Sequence, residues 1–338
     1  MASAIVVGAG GISDTWFNPL KKECVDIAAV VDLNKENAEK RIEQFELDSE
    51  AMTSLDDALA KHKTDFVVDL TVPEVHCQIT CKSLEAGRHV IGEKPMSATI
   101  EQAKQMVAAA DKAGKIYMVS QSRRYVPKHE QIARAIRSGM IGDITNIHCH
   151  FFLGAHFGGF RQVMPHVLLN DMSIHHFDLA RMFSGVDPVS VYAEEYNPAE
   201  STFEHHANAN ALFTMTNNVR FTYMGSWTCD GLDTSWHGDW RIIGTKGTLT
   251  YVGDGEPRAQ SFTEPDSKRR ECFDLDLGEK PEIAGGQHGA LKEFIAAIDG
   301  GPTPQGECHD NIKSMAMVSA AIDSADSGQR VDIGKMLS

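Results

Sequence analysis

A glycine-rich turn between two apolar runs constrains this chain more than any other segment. Residues 4–7 read Ala-Ile-Val-Val, long enough for one buried strand, and the run breaks at the Gly-Ala-Gly-Gly of residues 8–11. A second apolar run over 27–31 ends at Asp32, 22 positions after Gly10. In a Rossmann unit such glycines let the backbone approach a pyrophosphate at a helix N-terminus, and an acid about 20 residues later accepts the ribose hydroxyls. The spacing therefore predicts a dinucleotide site. The alternative is a tight strand–helix turn in another kind of α/β protein, but the position of Asp32 would then be a coincidence.

Residues in and after this turn bear on which dinucleotide is bound. Ser13 takes the third glycine position of the G-x-G-x-x-G pattern, where a small side chain serves helix–strand packing rather than phosphate contact. Asp32 accepts hydrogen bonds from a ribose diol and repels a 2′-phosphate, so it favours NAD over NADP. Leu33 and Asn34 add no phosphate-binding arginine, although Lys35 keeps NADP open as a second choice.

Length, charge and cysteine usage bound the domain count and the partners. A chain of 338 residues exceeds the usual size of one core, so we expect a dinucleotide-binding domain over 1–122 and a second domain over 123–338. The net charge of −15 argues against nucleic acid and anionic membranes as partners. No apolar run approaches the roughly 20 residues of a membrane span. The seven cysteines are scattered, and no secretion signal is evident, so we expect reduced thiols and a cytoplasmic location.

The apolar runs predict an α/β fold in two parts. Short runs alternate with helical stretches in the first part, which is typical of a doubly wound parallel sheet, with strands at 4–7, 27–31, 65–71, 89–92 and 116–120. The second part indicates an α+β domain with a large open, mainly antiparallel sheet, with strands at 144–153, 189–196, 207–215, 219–227, 240–243 and 247–252. Helices are predicted near 73–87, 100–113, 128–138, 171–183, 287–299 and 309–327. Residues 253–286 are expected to be a long loop or ragged edge strands.

A lysine at a predicted strand end is the first candidate for chemistry. Glu93-Lys94-Pro95 follows the strand at 89–92, and open α/β sheets bind ligands at the carboxyl ends of their strands. An ammonium beside a nicotinamide can donate to a substrate hydroxyl and stabilise negative charge that develops on its oxygen. The alternative is a solvated surface lysine before a turn.

The second candidate is the segment from Asp171 to Asp178. Asp171 and His175 are four residues apart and share a face of the predicted helix. Histidine has the pKa nearest neutrality, as the base in an alcohol oxidation requires, and a carboxylate one turn away can orient it. The alternative is a capping aspartate with a partly buried structural histidine. A metal site is a further alternative, but His176 points about 100° away from His175 on a helix, so we expect no metal.

Several motifs in order resemble the Gfo/Idh/MocA oxidoreductases, the family of glucose–fructose oxidoreductase and inositol dehydrogenase. They are GAGGIS at 8–13, Thr71-Val72-Pro73 with His76, Glu93-Lys94-Pro95, D-x-x-x-H-x-x-D at 171–178, and WRIIGTKGTL at 240–249. The resemblance spans nearly the whole chain. It implies a Rossmann domain, then a substrate-binding and oligomerisation domain whose open sheet forms a homodimer or homotetramer. Gln121 departs from the family pattern, because many relatives carry asparagine there.

The resemblance also assigns site residues by motif position. Catalytic roles fall on Lys94, Asp171 and His175, with His175 as the acid–base group. Cofactor contacts are expected at the following residues: Gly8, Gly10, Gly11, Ile12, Asp32, Leu33, Thr71, Val72, Pro73, His76, Glu93, Lys94 and Gln121. The substrate is expected to meet Asp171 and His175 together with other polar and aromatic residues, namely Arg124, His156, Arg161, Trp236 and His288.

These assignments predict an NAD-dependent dehydrogenase acting on CH–OH. Hydride would pass between the nicotinamide and a secondary alcohol carbon of a small polyhydroxylated substrate such as a sugar, an inositol or a glycoside. Two alternatives stay open: a catalytically silent NAD-binding regulator that senses sugars, and a reductase of a non-sugar C=N or pyrrole substrate. Lys94, Asp171 and His175 together argue against the first, and the 7% aromatic content argues against an aromatic-lined cleft for the second.

Overall fold

The chain folds into two compact units. The computed structural model describes residues 1–263 and 270–338. One unit comprises Met1–Tyr125 and Ile283–Met315, and the other comprises Val126–Glu282 and Ala316–Ser338. The change of unit at Tyr125 lies close to the boundary expected at residue 122, but residues 283–315, expected in the second domain, belong to the first unit.

The first unit contains a six-stranded sheet in which every strand pair is parallel. The strands are β1 Ser3–Val7, β2 Asp26–Val31, β3 Glu50–Met52, β4 Phe66–Asp69, β5 His89–Gly92 and β6 Tyr117–Val119. Their order across the sheet is β3-β2-β1-β4-β5-β6, so the predicted doubly wound sheet is confirmed. The sequence did not predict β3, because its three half-buried residues, Glu-Ala-Met, form no apolar run.

Local capping signals explain where the helices of this sheet begin. They are α1 Asp14–Lys22, α2 Lys35–Gln44, α3 Leu55–Lys61, α4 Pro73–Glu85 and α5 Ile100–Ala113. Asn34, Ser54 and Thr99 each accept a hydrogen bond from a backbone N–H of the first helical turn, and Pro73 occupies the first position of α4. Each helix therefore begins just beyond the carboxyl end of a strand, where a ligand site of this fold is built.

The second unit contains a nine-stranded open sheet. Its strands are β7 Ile144–Phe152, β8 Pro188–Tyr196, β9 Asn208–Met215, β10 Arg220–Ser226, β11 Asp239–Gly244, β12 Gly247–Tyr251, β13 Arg258–Phe262, β14 Cys272–Leu275 and β15 Val331–Asp332. The order is β14-β13-β12-β11-β7-β10-β9-β8-β15, and the pairing is antiparallel except between β7 and β10. The mainly antiparallel open sheet is thus confirmed. Strands β13 and β14, of which β14 forms an edge of the sheet, lie in the stretch expected to be a loop or ragged edge strands, and residues 264–269 of that stretch fall outside the described residues.

The remaining helices follow the chain through both units. They are α6 Pro127–Arg137, α7 Phe160–Val163, α8 Ile174–Ser184, α9 Gly286–Ile298, α10 Cys308–Ser327 and α11 Ile333–Leu337. Helix α9 belongs to the first unit because Ala290, Leu291 and Phe294 are buried in the core beneath its sheet. The Phe294 ring lies 5.3 Å from that of Phe66 on β4. This packing is the physical reason for the corrected assignment of residues 283–315.

Helix α8 is fixed on the second sheet by aromatic packing. The Phe177 ring lies 4.9 Å from Phe213 of β9 and 5.2 Å from Tyr223 of β10. The α-helix predicted from residue 171 begins only at Ile174, because Leu168–Ser173 form a wider π-helical turn. The Ser173 hydroxyl donates to the Leu168 carbonyl at 3.0 Å, across that turn. Asp171 therefore lies on an irregular turn and His175 on a regular helix.

A search for transmembrane helices gave none. Within residues 1–263 and 270–338, every helix is too short or too polar to cross a bilayer.

Candidate active site

The glycine turn after β1 requires glycine at its first position. Gly8 has φ of +96°, and a Cβ there would lie 2.7 Å from the Leu70 carbonyl oxygen. Its N–H donates to the Val31 carbonyl at 2.8 Å, so the turn is seated between β2 and the end of β4. A Cβ added at Gly10 or Gly11 would meet no atom within 4 Å. The turn therefore packs one glycine inward and presents two outward, as close approach to a pyrophosphate requires.

Asp32, at the end of β2, is tied to this turn. One carboxylate oxygen accepts from the Ala9 N–H at 2.9 Å. The other accepts from the Asn34 N–H at 2.9 Å and from the Asn37 side-chain amide at 3.3 Å. A carboxylate accepts about four hydrogen bonds, so these three hold Asp32 in place and leave it able to accept another.

Arg41 on α2 braces the same turn, and the sequence analysis missed it. Its Nε donates to the Ala9 carbonyl at 3.2 Å and its Nη2 to the Gly10 carbonyl at 3.1 Å. Its Nη1 also donates to Asp14 at 2.5 Å. The planar guanidinium thereby binds two successive carbonyls of the turn. No motif spacing singles out a cation at this helix position.

The carboxyl ends of β4 and β5 are held together by His76. Its ring nitrogens lie 3.0 Å from the Pro95 carbonyl oxygen and 3.1 Å from that of Thr71. Asp69, the last residue of β4, accepts from the Thr71 hydroxyl at 2.6 Å. Burial raises the pKa of the Asp69 carboxyl above its ordinary value. Thr71 and His76 are among the residues expected at the cofactor, whereas Asp69, an acid inside an apolar strand, was not singled out from the sequence.

Glu93, just beyond β5, is fixed by a buried tryptophan. The Trp16 Nε1–H donates to Glu93 Oε1 at 2.8 Å, with Trp16 fully buried and Glu93 only 6% exposed. The other oxygen of Glu93 accepts from the Lys94 N–H at 3.2 Å. The Lys94–Pro95 peptide bond is cis. The partly buried Lys94 therefore directly follows a residue that is anchored to α1.

Other expected cofactor residues fall into two kinds. Ile12, Leu33 and Val72 are apolar yet 40%, 97% and 59% exposed, each following the carboxyl end of a strand of the first sheet. Gln121, beyond β6, is 1% exposed, and its side-chain amide has no hydrogen-bond partner among residues 1–263 and 270–338. The exposed apolar side chains suit a ligand with flat rings, and the unsatisfied buried amide suits a ligand with a polar group. Both features lie at the carboxyl edge of the first sheet.

Asp171 of the second unit is paired with Arg161. The Arg161 Nε donates to one carboxylate oxygen at 2.6 Å, and its Nη2 lies 3.4 Å from the other. His175, in the first turn of α8, is half-buried, whereas His176 is fully buried with its ring 5.0 Å from Phe151. The two neighbouring histidines thus differ in exposure, with His176 a core residue.

Phe157, in the loop before α7, contacts two of the expected substrate residues, and His156 lies next to it in the chain. The Phe157 ring lies 6.4 Å from that of Trp236, and the Arg161 guanidinium carbon lies 5.2 Å from the centre of the Phe157 ring. His156 lies 2.9 Å from Asp230, with both side chains exposed. Arg161 thus connects Asp171 to Phe157 and through it to Trp236, while His156 lies on the same loop.

Arg124 and His288, also expected to meet the substrate, have structural partners in the first unit. Arg124 is 6% exposed and donates to the Gln305 carbonyl at 2.6 Å and to Asp310 at 2.9 Å. His288 lies 2.6 Å from Glu23. Glu23 follows the C-terminal end of α1, whereas the glycine turn lies before the N-terminal end of the same helix. Both side chains connect segments of the first unit, so we leave them out of the substrate site.

One group in the described part of the chain has the geometry to hold a metal ion. Glu307, Cys308 and His309 bring their ligand atoms within 4.8 Å of one another. These atoms already bond each other, since the Cys308 thiol donates to Glu307 at 2.9 Å and the His309 ring lies 2.9 Å from the same carboxylate. Burial, with the adjacent Glu307 carboxylate, raises the pKa of the Cys308 thiol, which disfavours the thiolate that a metal needs.

Comparisons with known proteins agree with this geometry. Residues 3–121 match the family model described as "Oxidoreductase family, NAD-binding Rossmann fold", and residues 129–250 match "GFO/IDH/MocA C-terminal domain". The 1,5-anhydro-D-fructose reductase of Ensifer adhaerens is 24% identical over 290 residues, covering 84% of this chain and 84% of the relative. The inositol 2-dehydrogenase of Arthrobacter sp. (strain FB24) is 29% identical over 232 residues, covering 64% of this chain and 68% of the relative.

A solved structure shows the same fold. An oxidoreductase from Agrobacterium radiobacter, crystallised with NAD+, L-tartaric acid and magnesium, superposes with a TM-score of 0.85 at 22% identity, covering 99% of both chains. A glycine turn, a following acid and a second unit built on an open sheet define an oxidoreductase with an NAD-binding Rossmann domain. The chain belongs to the Gfo/Idh/MocA oxidoreductase family.

Proposed function

We propose that this chain is a dehydrogenase that oxidises a secondary alcohol carbon of a sugar, an inositol or a glycoside, with NAD+ as the hydride acceptor. The observation that carries the proposal is the contrast between His175, half-buried and one turn beyond Asp171, and the fully buried His176. A half-buried histidine four residues after an anchored carboxylate suits proton transfer. The relatives named for anhydrofructose and inositol support a polyhydroxylated substrate.

Residues of the first unit would hold the cofactor. Gly10 and Gly11 would lie against the pyrophosphate, and Asp32 would accept the ribose hydroxyls. The exposed Ile12, Leu33 and Val72 would pack against rings, and Gln121 would satisfy its buried amide, while Thr71, Pro73, His76 and Glu93 shape the rest of the edge. When bound, NAD+ supplies an acceptor for the hydride.

Three side chains would carry the chemistry of this chain. His175 would take the proton from the substrate hydroxyl as the C–H bond of the same carbon breaks. Lys94 would donate a hydrogen bond to that oxygen and stabilise the charge that develops on it. Asp171, held by Arg161, would orient the substrate or the imidazole. Anchoring of Glu93 by Trp16 and of Asp171 by Arg161 supports these roles, because positioned groups need no reorganisation during the reaction.

A screen of NAD+ reduction across sugars, inositols and glycosides tests the proposal. With any substrate that is oxidised, we expect His175→Ala and Lys94→Ala each to lower kcat by about 10²–10⁴-fold. The matched controls are His205→Gln and Lys112→Ala, which change exposed residues of the same types and should retain parental rates. Turnover by both active-site variants within a few fold of the parent would overturn the assignment, and the absence of NADH formation across the panel would favour a sensor.

We further propose that NAD is preferred over NADP because Asp32 would repel a 2′-phosphate. We expect Asp32→Ala to lower the ratio of kcat/KM for NAD+ over NADP+ by at least about tenfold. Since Asp32 also accepts from the Ala9 N–H, the same variant should raise the KM for NAD+. A parent enzyme that uses both cofactors equally would contradict this argument.

We propose that the outer face of the second sheet joins copies of this chain into a dimer or tetramer. Tyr192 pairs across the sheet with Leu212, and these side chains are 37% and 42% exposed. Met224 on β10 is 40% exposed. Apolar side chains on one sheet face support association with a second copy. Light scattering should show a smaller species for Leu212→Lys but not for Val252→Lys, an exposed apolar residue beyond β12; a monomeric parent would refute the proposal.

We also propose a cytoplasmic location. Each of the seven cysteines, all within the described part of the chain, is a free thiol, which supports a reducing compartment. Cell fractionation that found the chain in an oxidising compartment would overturn this inference.

A further inference from the structure

Three aromatic side chains near Asp171 are exposed to an extent that packing does not explain. Phe157, Phe160 and Trp236 are 42%, 64% and 47% exposed. Each belongs to the second unit and lies in or beside the segment that bears Asp171 and Arg161. Burying a large aromatic side chain contributes about 2–3 kcal/mol, so three rings left half in water indicate a surface that a ligand covers.

Two of the three rings, Phe157 and Trp236, pack on a buried tryptophan. Phe157 packs edge to face on Trp227, with centroids 5.1 Å apart, and Trp236 lies 5.6 Å from the same indole. Trp227 itself is 1% exposed and packs on Phe151, so it anchors the group to the second sheet. A pre-organised apolar surface loses little conformational freedom when a ligand binds to it.

Arg161 lies between two of the rings and connects them to Asp171. Its guanidinium carbon is 5.2 Å from the Phe157 centroid and 4.6 Å from the Phe160 centroid. Its Nε donates to Asp171 at 2.6 Å. Gly158 and Gly159 both have φ of +62°, the left-handed conformation that favours glycine, and they turn the chain so that both rings flank the arginine. The aromatic surface therefore begins one side chain away from the carboxylate.

We propose that Phe157, Phe160 and Trp236 form a subsite for a flat apolar ring face that the substrate carries beyond the sugar that is oxidised. The inference rests on the proposed function, which puts the reacting sugar beside Asp171. An aryl aglycone and the C–H face of a second sugar ring both have this chemistry. Glycosides, rather than free monosaccharides, would then be the preferred substrates.

The area of the surface supports a small ligand over a second copy of the chain. Three half-exposed aromatic side chains present about 300 Å², since each buries roughly 150–250 Å² when covered. A stable protein interface needs about 800 Å² from each partner. Polar groups border the rings, because exposed His156, next to Phe157 in the chain, pairs at 2.9 Å with exposed Asp230 of the loop that bears Trp236. A few rings with polar groups at their border are typical of a ligand subsite.

Matched glucosides test the subsite. NAD+ reduction is measured with D-glucose, the methyl and phenyl glucosides of both anomers, cellobiose and maltose. For the parent we expect kcat/KM at least about tenfold higher for a phenyl glucoside than for the methyl glucoside of the same anomer. Phe160→Ala and, separately, Trp236→Ala should bring that ratio close to one. Val163→Ala, which changes an exposed apolar residue of α7 without a ring, should leave the ratio at the parental value. A preference for cellobiose or maltose over phenyl glucosides would identify a second sugar as the source of the ring face.

Binding to the NADH complex separates this inference from the proposed function, because no hydride can be accepted there. Calorimetry should show phenyl glucoside binding about tenfold tighter than methyl glucoside, with the difference lost in Phe160→Ala. That result without oxidation of any compound would sustain the subsite and refute the dehydrogenase. Equal affinities and equal kcat/KM for phenyl and methyl glucosides, or no binding of either, would overturn the subsite. A smaller oligomer for Phe160→Ala, with no phenyl preference in the parent, would assign the rings to an interface between copies instead.

Discussion

Trp16→Phe tests whether the indole of α1 holds the Glu93 carboxylate. Trp16 is fully buried and donates to Glu93 Oε1 at 2.8 Å. Phenylalanine fills much of the same volume but has no donor, so the variant leaves a buried carboxylate oxygen without its partner. That loss costs about 2–3 kcal/mol for a charged acceptor, and the smaller ring adds about 1 kcal/mol. We expect a total of about 3 kcal/mol, or a fall of roughly 6–12 °C in melting temperature.

A double-mutant cycle with Glu93→Gln isolates the hydrogen bond. The glutamine keeps a carbonyl oxygen for the indole N–H but removes the charge, so losing the donor should cost less in that background. Circular dichroism melts of the parent, both single variants and the double variant should give a coupling energy of about 1–2 kcal/mol. Phe17→Leu is the control, because Phe17 is equally buried on α1 and its ring lies 4.9 Å from that of Phe45. The free energies lost in Phe17→Leu and Glu93→Gln should add in their double variant. The reasoning would be refuted if the losses in Trp16→Phe and Glu93→Gln were also additive, or if Trp16→Phe melted within about 2 °C of the parent.

Three further predictions follow from contacts of single side chains. Arg41→Ala should raise the KM for NAD+ roughly tenfold with kcat within about threefold, because the Ala9 carbonyl loses its Arg41 donor and the Gly10 carbonyl keeps only its hydrogen bonds from Ser13, whereas Lys40→Ala should match the parent in steady-state kinetics. The Glu195 carboxylate raises the pKa of His166, so their pairing stabilises the fold below the unfolded pKa of about 6.5 and is lost as pH rises through the raised folded pKa. His166→Asn should therefore lower the melting temperature by about 2–4 °C more at pH 6 than at pH 9, and equal losses would contradict this linkage. His288→Ala should leave kcat/KM within about twofold of the parent while melting a few degrees lower, and a tenfold loss of kcat/KM would return His288 to the substrate site.

The first sheet was predictable because its signals are local. The turn at residues 8–11, the acid at Asp32 and the strand that ends before Lys94 each occupy a few consecutive residues. The mostly buried parallel strands appear as short apolar runs, so the family resemblance and the doubly wound sheet are confirmed. The exception is β3, whose half-buried residues leave no run to detect.

The supporting residues of the candidate site were not predictable because their partners are distant in the chain. Trp16 is 77 residues from Glu93, and Arg41 is 32 residues from Ala9. The pairing of Arg161 with Asp171 spans ten residues, and it depends on a π-helical turn that helical periodicity does not report. A sequence motif predicts the groups expected to contact a ligand. The side chains that orient those groups come from distant parts of the chain, so they become evident only in the tertiary structure.

The discontinuous first unit has a consequence for how the protein is made. Helix α9 supplies Phe294 to the core beneath the first sheet, yet 157 residues of the second unit separate it from Tyr125. A ribosome therefore synthesises all six strands of the Rossmann sheet long before the helix that covers one face emerges. Until then Trp16, Phe66 and their neighbours stay open to solvent or chaperones, and the core of the first unit is completed only after Phe294 has emerged.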